Sequence, residues 1–305
     1  MVNSHGRFVW YELMTPDPEA AKVFYAEVVG WGTVDASTGG IPYTLFTAGE
    51  ASVCGLMNLP EDAQRMGAAP RWIGYVGVDN MEATVDRIKR LGGIVHVPPT
   101  EIPNVSCFSV IADPQMAMLT LVKWLNPAEE QPAALGEPGR VGWHELLAAD
   151  WEKAFAFYSE LFGWRKADAQ IGSMGTYQKF SAGGQTIGGM STKPPMVPVP
   201  FWLYYFNTDD IDAAAERVKA GGGRILEGPL EVRGGGRVAR CTDPQGAMFA
   251  LAAMRSNKAI GYFEPAASRD PSAARFFVPK KTVPRMRSSD CQTERPGSAP
   301  RPSAN

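Results

Sequence analysis

Two glutamates and a recurring set of aromatic rings are the residues whose types and spacing could do chemistry. Glu12 lies in FVWYELMT and Glu145 in VGWHELLA, each two residues after a tryptophan, Trp10 or Trp143. Successive side chains of a strand alternate between its faces, so each Glu and Trp point the same way. More rings recur in pairs: Tyr43 with Tyr177, Trp72 with Trp202, and Tyr75 with Tyr205. A carboxylate among rings costs free energy unless it is paired or protonated. Such a group can serve as a general base, or grip a cationic or hydroxylated ligand. The structural alternative is a glutamate bonded to backbone amides or to a nearby arginine at a barrel seam. Rings that line a cavity suit flat organic ligands, whereas rings in a core only pack. A shift of one residue would turn Trp72 and Trp202 to the other face.

These residues recur because the chain repeats itself. GRFVWYELMTPDPEAAKVFYAEVVGWG starts at Gly6 and GRVGWHELLAADWEKAFAFYSELFGWR at Gly139. Thirteen positions match between the two, among them Trp10 and Trp143, Glu12 and Glu145, Asp17 and Asp150, and Gly30 and Gly163. Later, ADPQMAMLTL matches TDPQGAMFAL. The expected organisation is a first domain over 6–124, a linker over 125–138, a second domain over 139–254 and a tail over 255–305. Within each domain the pattern itself runs twice. FVWYELMT alternates as a strand, then Asp17 caps a helix with apolar residues at helical spacing that stops at Gly30. Three short strands follow, and Trp72–Val78 begins the pattern again, with a helix stopped by Gly92 and Gly93. The reading is βαβββ, four times in all.

Composition narrows the function classes. Apolar residues at 45% and a net charge of -2 describe a globular chain without the basic surface that phosphate binding requires. Neither nucleic acid nor a membrane is expected as a partner. Cys54, Cys107, Cys241 and Cys291 form no paired motif, which points away from zinc and disulfides and toward the cytoplasm. The segment 271–305 holds seven basic and two acidic residues amid Pro and Ser, so the tail is expected to be largely disordered.

A strand, then D-x-x-x-A-x-x-F-Y-x-x-x-x-G-W, a second βα unit and a D-P turn before the last strand resemble the vicinal oxygen chelate proteins. This is the glyoxalase/bleomycin-resistance/dioxygenase superfamily. The resemblance implies an α+β fold, a tandem repeat of paired βαβββ modules forming half-open barrels around cavities. It also implies where a metal would sit, since the family's metal enzymes commonly use His, Gln or Glu from four strands. The corresponding positions here hold Trp10 and Trp143, Thr120 and Ala250, Ile73 and Leu203, and the stretches Gly55–Met57 and Gly189–Ser191. Indole, methyl and hydrogen side chains are poor ligands. None of His5, His96 and His144 falls on a matching position, and His144 is expected opposite the cavity as a structural histidine.

The leading expectation is therefore a protein that binds a small aromatic or heterocyclic molecule in a metal-poor cavity. Its contacts would be Trp10, Glu12, Tyr43, Trp72, Tyr75, Trp143, Glu145, Tyr177, Trp202 and Tyr205. No cofactor is expected; a divalent metal is the lesser alternative. The rival function is a lyase, isomerase or hydroxylase-like enzyme using Glu12 or Glu145 as general base or metal ligand. The expected assembly is a monomer with an internal pseudo-dimer, or a homodimer.

Overall fold

The computed structural model describes residues 4–38, 40–125, 136–172, 175–232 and 235–254. The expected disordered tail and most of the expected linker lie outside them. The first unit runs β1 (Phe8–Thr15), α1 (Pro18–Val29), β2 (Gly32–Asp35), β3 (Thr44–Ala48), β4 (Ala51–Asn58), a short α2 (Glu61–Arg65), β5 (Arg71–Gly77), α3 (Met81–Arg90), β6 (Ile94–Ile102), β7 (Ser106–Ala112) and β8 (Met118–Trp124). The second runs β9 (Val141–Ala148), α4 (Trp151–Phe162), β10 (Arg165–Gly172), β11 (Gly175–Ala182), β12 (Gln185–Thr192), β13 (Phe201–Asn207), α5 (Ile211–Ala220), β14 (Arg224–Val232), β15 (Gly236–Thr242) and β16 (Met248–Met254).

Local chemistry explains where the long helices start and stop. The Asp17 carboxylate accepts from Ala20 N at 3.0 Å, satisfying a donor that the first turn of α1 leaves over. Gly30 ends that helix at φ 83°, a left-handed conformation that costs glycine little. Asp150 caps α4 in the same way.

Each unit forms one eight-stranded sheet, ordered β2-β3-β4-β1-β5-β8-β7-β6 and β10-β11-β12-β9-β13-β16-β15-β14. The antiparallel pairs β1 with β5 and β9 with β13 join the two modules of a unit at the sheet centre. One face of each curled sheet carries the helices and packs on the other unit. The concave face carries Glu12 or Glu145.

The two units share a continuous aromatic core, and its polar contacts cross between them in matched pairs. Trp31 Nε1 donates to Gly139 O at 2.7 Å, and Trp164 Nε1 to Gly6 O at 2.6 Å. Tyr25 OH donates to Asp243 at 3.1 Å, and Tyr158 OH to Asp113 at 3.1 Å. His144 stacks on Phe8 with ring centroids 4.0 Å apart. Burial lowers its pKa to about 4, so the ring is neutral and one nitrogen must accept. Nδ1 lies 2.6 Å from Ile187 O and donates to it, which leaves Nε2 to accept from Tyr11 OH at 2.6 Å. His144 thus faces away from the cavity, as alternation requires, and bonds the other unit.

Each Asp of the D-P turns holds its own loop and also receives the partner unit's tyrosine. Asp113 Oδ1 accepts from Gln115 N and Ala117 N, and Oδ2 takes the Tyr158 hydroxyl. Tyr158→Phe removes the cross-unit donor from a buried carboxylate. The expected loss is about 1.5–3 kcal/mol of stability, the range for hydrogen bonds to charged groups, read by urea unfolding. An unchanged midpoint would show that the contact contributes nothing to holding the units together.

Candidate functional site

The register of the central strands builds both cavities. Trp10 pairs with Tyr75 and Glu12 with Ile73 across β1 and β5, so the four side chains share the concave face. The second unit repeats this with Trp143 opposite Tyr205 and Glu145 opposite Leu203. Tyr43 and Tyr177 reach in from the segment before β3 and from β11.

Among the described residues, Glu12 in the first cavity is held by tyrosines alone. Tyr43 OH donates to Oε2 at 2.9 Å, and Tyr75 OH to Oε1 at 2.9 Å. Trp10 Nε1 donates in turn to Tyr43 OH at 3.3 Å. Burial raises the Glu12 carboxyl above its ordinary value, and the two tyrosine hydrogen bonds only partly oppose this. No cation pairs with it among the described residues. Glu12 itself is only 7% exposed, yet Trp10, Tyr43 and Tyr75 around it all remain partly exposed.

The second cavity has the same frame with a different charge balance. Tyr205 OH donates to Glu145 Oε2 at 2.5 Å, and Trp143 Nε1 to Tyr177 OH at 2.8 Å. Here Arg240 on β15 also binds Glu145, with Nη2 2.9 Å from each carboxylate oxygen, while its Nη1 lies 3.3 Å from Glu227. Burial lifts Glu227 to about 7, with Arg240 opposing. Among the described residues the first unit has no such triad: its matching ladder pairs Val97 with Val110 and Val110 with Thr120. The second cavity is also filled. Trp143, Tyr177 and Tyr205 are 1–2% exposed and form a core cluster with Leu203, Val232, Val238 and Ala250. Val232 at the end of β14 is 5% exposed, whereas Ile102 at the matching end of β6 is 44% exposed. The rings around Glu12 are thus more exposed than their counterparts around Glu145.

Eight of the ten expected contacts fall into these two groups: Trp10, Glu12, Tyr43 and Tyr75 in one, Trp143, Glu145, Tyr177 and Tyr205 in the other. Trp72 and Trp202 join neither. Trp72 Nε1 donates to Tyr25 OH at 2.8 Å and Trp202 Nε1 to Tyr158 OH at 3.2 Å, which sets both indoles in the core between the units. Neighbouring residues of one strand cannot share a face, so Ile73 and Leu203 take the cavity positions instead. Sequence reasoning missed Arg240, Glu227 and Arg71. Their faces depend on pairings between strands distant in the chain.

The cavity frame does not fit a divalent metal. Of the four positions that the resemblance assigns to ligands, the first unit holds Trp10, Ile73, Thr120 and the stretch Gly55–Met57, in which Gly55 lies level with Glu12. A Cβ at Gly55 would lie 1.9 Å from Tyr43 OH, and one at Gly189 2.3 Å from the Tyr177 ring. The tyrosine thus fills the space that a ligand side chain would occupy. One carboxylate remains, and among the described residues no group of three His, Cys, Asp or Glu could hold a metal ion.

Comparison with known proteins decides the family. The glyoxalase/bleomycin resistance protein/dioxygenase superfamily profile matches residues 7–121 and 140–251. The chain belongs to this superfamily. It is 34% identical over 245 residues to CFP32 of Mycobacterium tuberculosis (strain CDC 1551 / Oshkosh), which carries a glyoxylase name; the match covers 79% of this chain and 92% of that protein. It is 27% identical over 268 residues to the anthracycline biosynthesis protein DauV of Streptomyces sp. (strain C5), covering 82% and 94%. The fold matches the Mn(II)-bound glyoxalase of Novosphingobium aromaticivorans with TM-score 0.58 at 16% identity, covering 82% of each chain. It also matches the 2,3-dioxygenase LapB of Pseudomonas sp. KL28 with TM-score 0.59 at 12% identity, covering 87% and 98%. Among the described residues no helix is long and apolar enough to cross a membrane.

Proposed function

We propose that this superfamily member binds one planar, hydroxylated aromatic molecule per chain, in the cavity of the first unit, without a divalent metal. The observation that carries the reading is the difference between the two cavities. The first keeps a carboxylate without a cation behind partly exposed rings, whereas the second neutralises its carboxylate with Arg240 and packs the space. Trp10, Tyr43 and Tyr75 offer faces and edges for stacking. Glu12 accepts a hydrogen bond from a ligand hydroxyl, and that bond offsets part of the cost of burying its charge. Similarity to a protein named for anthracycline biosynthesis supports a flat polycyclic ligand.

A second reading rests on the raised pKa of Glu12. A desolvated carboxyl in contact with a phenolic hydroxyl is placed to take its proton. The same contact would then serve a reaction as well as binding.

The test is calorimetric titration of the full chain with 2-naphthol, a neutral planar phenol. One equivalent should bind per chain, with an affinity that prior EDTA treatment leaves unchanged. A stoichiometry of two would contradict the closed second cavity. Affinity lost with EDTA and restored by manganese would establish a metal-dependent site.

A further inference from the structure

The first cavity carries a second polar group, Arg71 at the start of β5. Arg71 pairs with Met14, two residues from the Ile73–Glu12 pair, so its side chain emerges on the concave face that holds Glu12. The two levels lie about 7 Å apart along the strand. Its Nη1 lies 3.1 Å from Met118 Sδ, a weak acceptor on β8. Its Nε is buried and meets no acceptor among the described residues. Burial alone lowers the Arg71 pKa, and no carboxylate among the described residues offsets this. His96 on β6 is close enough for the Arg71 charge to lower its pKa, with its own burial the larger cause.

The second unit shows what this position becomes when nothing charged is needed. Phe201 stands in place of Arg71, opposite Leu147, and packs on the cluster that fills the closed cavity. A guanidinium half removed from water costs free energy unless an anion meets it. Its planar fork matches a carboxylate in particular.

We propose that Arg71 receives the carboxylate of the ligand, so that the first cavity selects planar hydroxyaromatic acids. The hydroxyl end lies at Glu12 and the acid end at Arg71. Like-charge repulsion rejects the reverse orientation, because the carboxylate would then face Glu12. The inference rests on the first cavity being the ligand site.

The experiment titrates the full chain with 6-hydroxy-2-naphthoate, its carboxamide and 2-naphthol. The acid should bind about tenfold or more tightly than the carboxamide, the worth of one charge-assisted contact. In Arg71→Met the ratio of the two affinities should fall to near one, and Arg71→Lys should retain part of it. Equal affinities for acid and carboxamide in the parent chain would overturn the proposal without any variant, so it stays testable even if Arg71→Met fails to fold. If 2-naphthol binds while that equality holds, only the role of Arg71 falls. If none of the three binds, the cavity reading falls and this inference with it.

Discussion

Arg240→Met should destabilise the protein by about 3–5 kcal/mol at neutral pH, the usual cost of breaking a buried ion pair from one side. Arg240 sits between Glu145, 1% exposed, and Glu227. Methionine fills much of the same volume but leaves Glu145 with Tyr205 and no cation. The wild-type contact itself need not add that much stability, because both charges lost their hydration to form it. The pH dependence separates a charge effect from a packing effect. Without Arg240 nothing opposes the burial that raises the Glu227 carboxyl, so Glu227 holds its proton more tightly folded than unfolded, and the penalty is greatest at high pH and shrinks as pH falls and it protonates. Urea unfolding at pH 7.5 and pH 4.5 reads both numbers. A loss equal at the two pH values would mean packing, and a loss under about 1 kcal/mol would mean that the triad is solvated. Binding of 2-naphthol in the first cavity should be unaffected where the variant remains folded.

The charge asymmetry behind this prediction was the part of the molecule least legible in the sequence. The duplication is readable because strands, caps and glycines recur at an offset of 133 residues early in each unit, the separation of Tyr11 and His144, and at a nearly equal offset later, as from Trp72 to Trp202. Local signals also suffice for the helices, since Asp17, Asp150, Gly30 and Gly163 act within one turn of their own positions. Arg240 is different. It lies 95 residues from Glu145, and its face follows from the pairing of β15 with β16, where Arg240 meets Ala250. Period-two alternation states which residues share a face but not which face is concave. Trp72 and Trp202 fell to the same ambiguity: each is one residue from the cavity positions Ile73 and Leu203. The D-P turns show a third kind of loss. Their local role was clear, but the tyrosines that reach Asp113 and Asp243 come from the other unit, at separations of 45 and 218 residues.

Glu12→Gln and Glu145→Gln are one substitution at repeat-equivalent positions, and they should act with opposite signs on stability. Burial raises the Glu12 carboxyl, opposed in part by the Tyr43 and Tyr75 hydrogen bonds and by no cation among the described residues. A carboxyl raised in the folded state binds its proton more tightly there than in the unfolded chain. Stability is therefore lost as pH rises through the raised value. Glu12→Gln removes that loss: at pH 8 the variant should melt at or above the parent temperature, and near pH 4 the two should converge. Glu145→Gln instead takes the counter-charge from buried Arg240 and leaves Glu227 as its remaining carboxylate, for a loss of about 3 kcal/mol. Ligand affinity should separate in the other direction. Glu12→Gln keeps the shape and removes the charge that accepts the ligand hydroxyl, so 2-naphthol should bind about tenfold more weakly or worse. Glu145→Gln should leave that affinity alone. Melts at both pH values alongside 2-naphthol titrations read all four effects. A destabilised Glu12→Gln with unchanged affinity would make Glu12 a structural residue like Glu145 and remove the carboxylate from the binding site. A stabilised variant that binds poorly would mean that the first cavity holds its charge at a cost to folding, a cost that selection for folding alone would have removed by an arginine at Val110, as at Arg240.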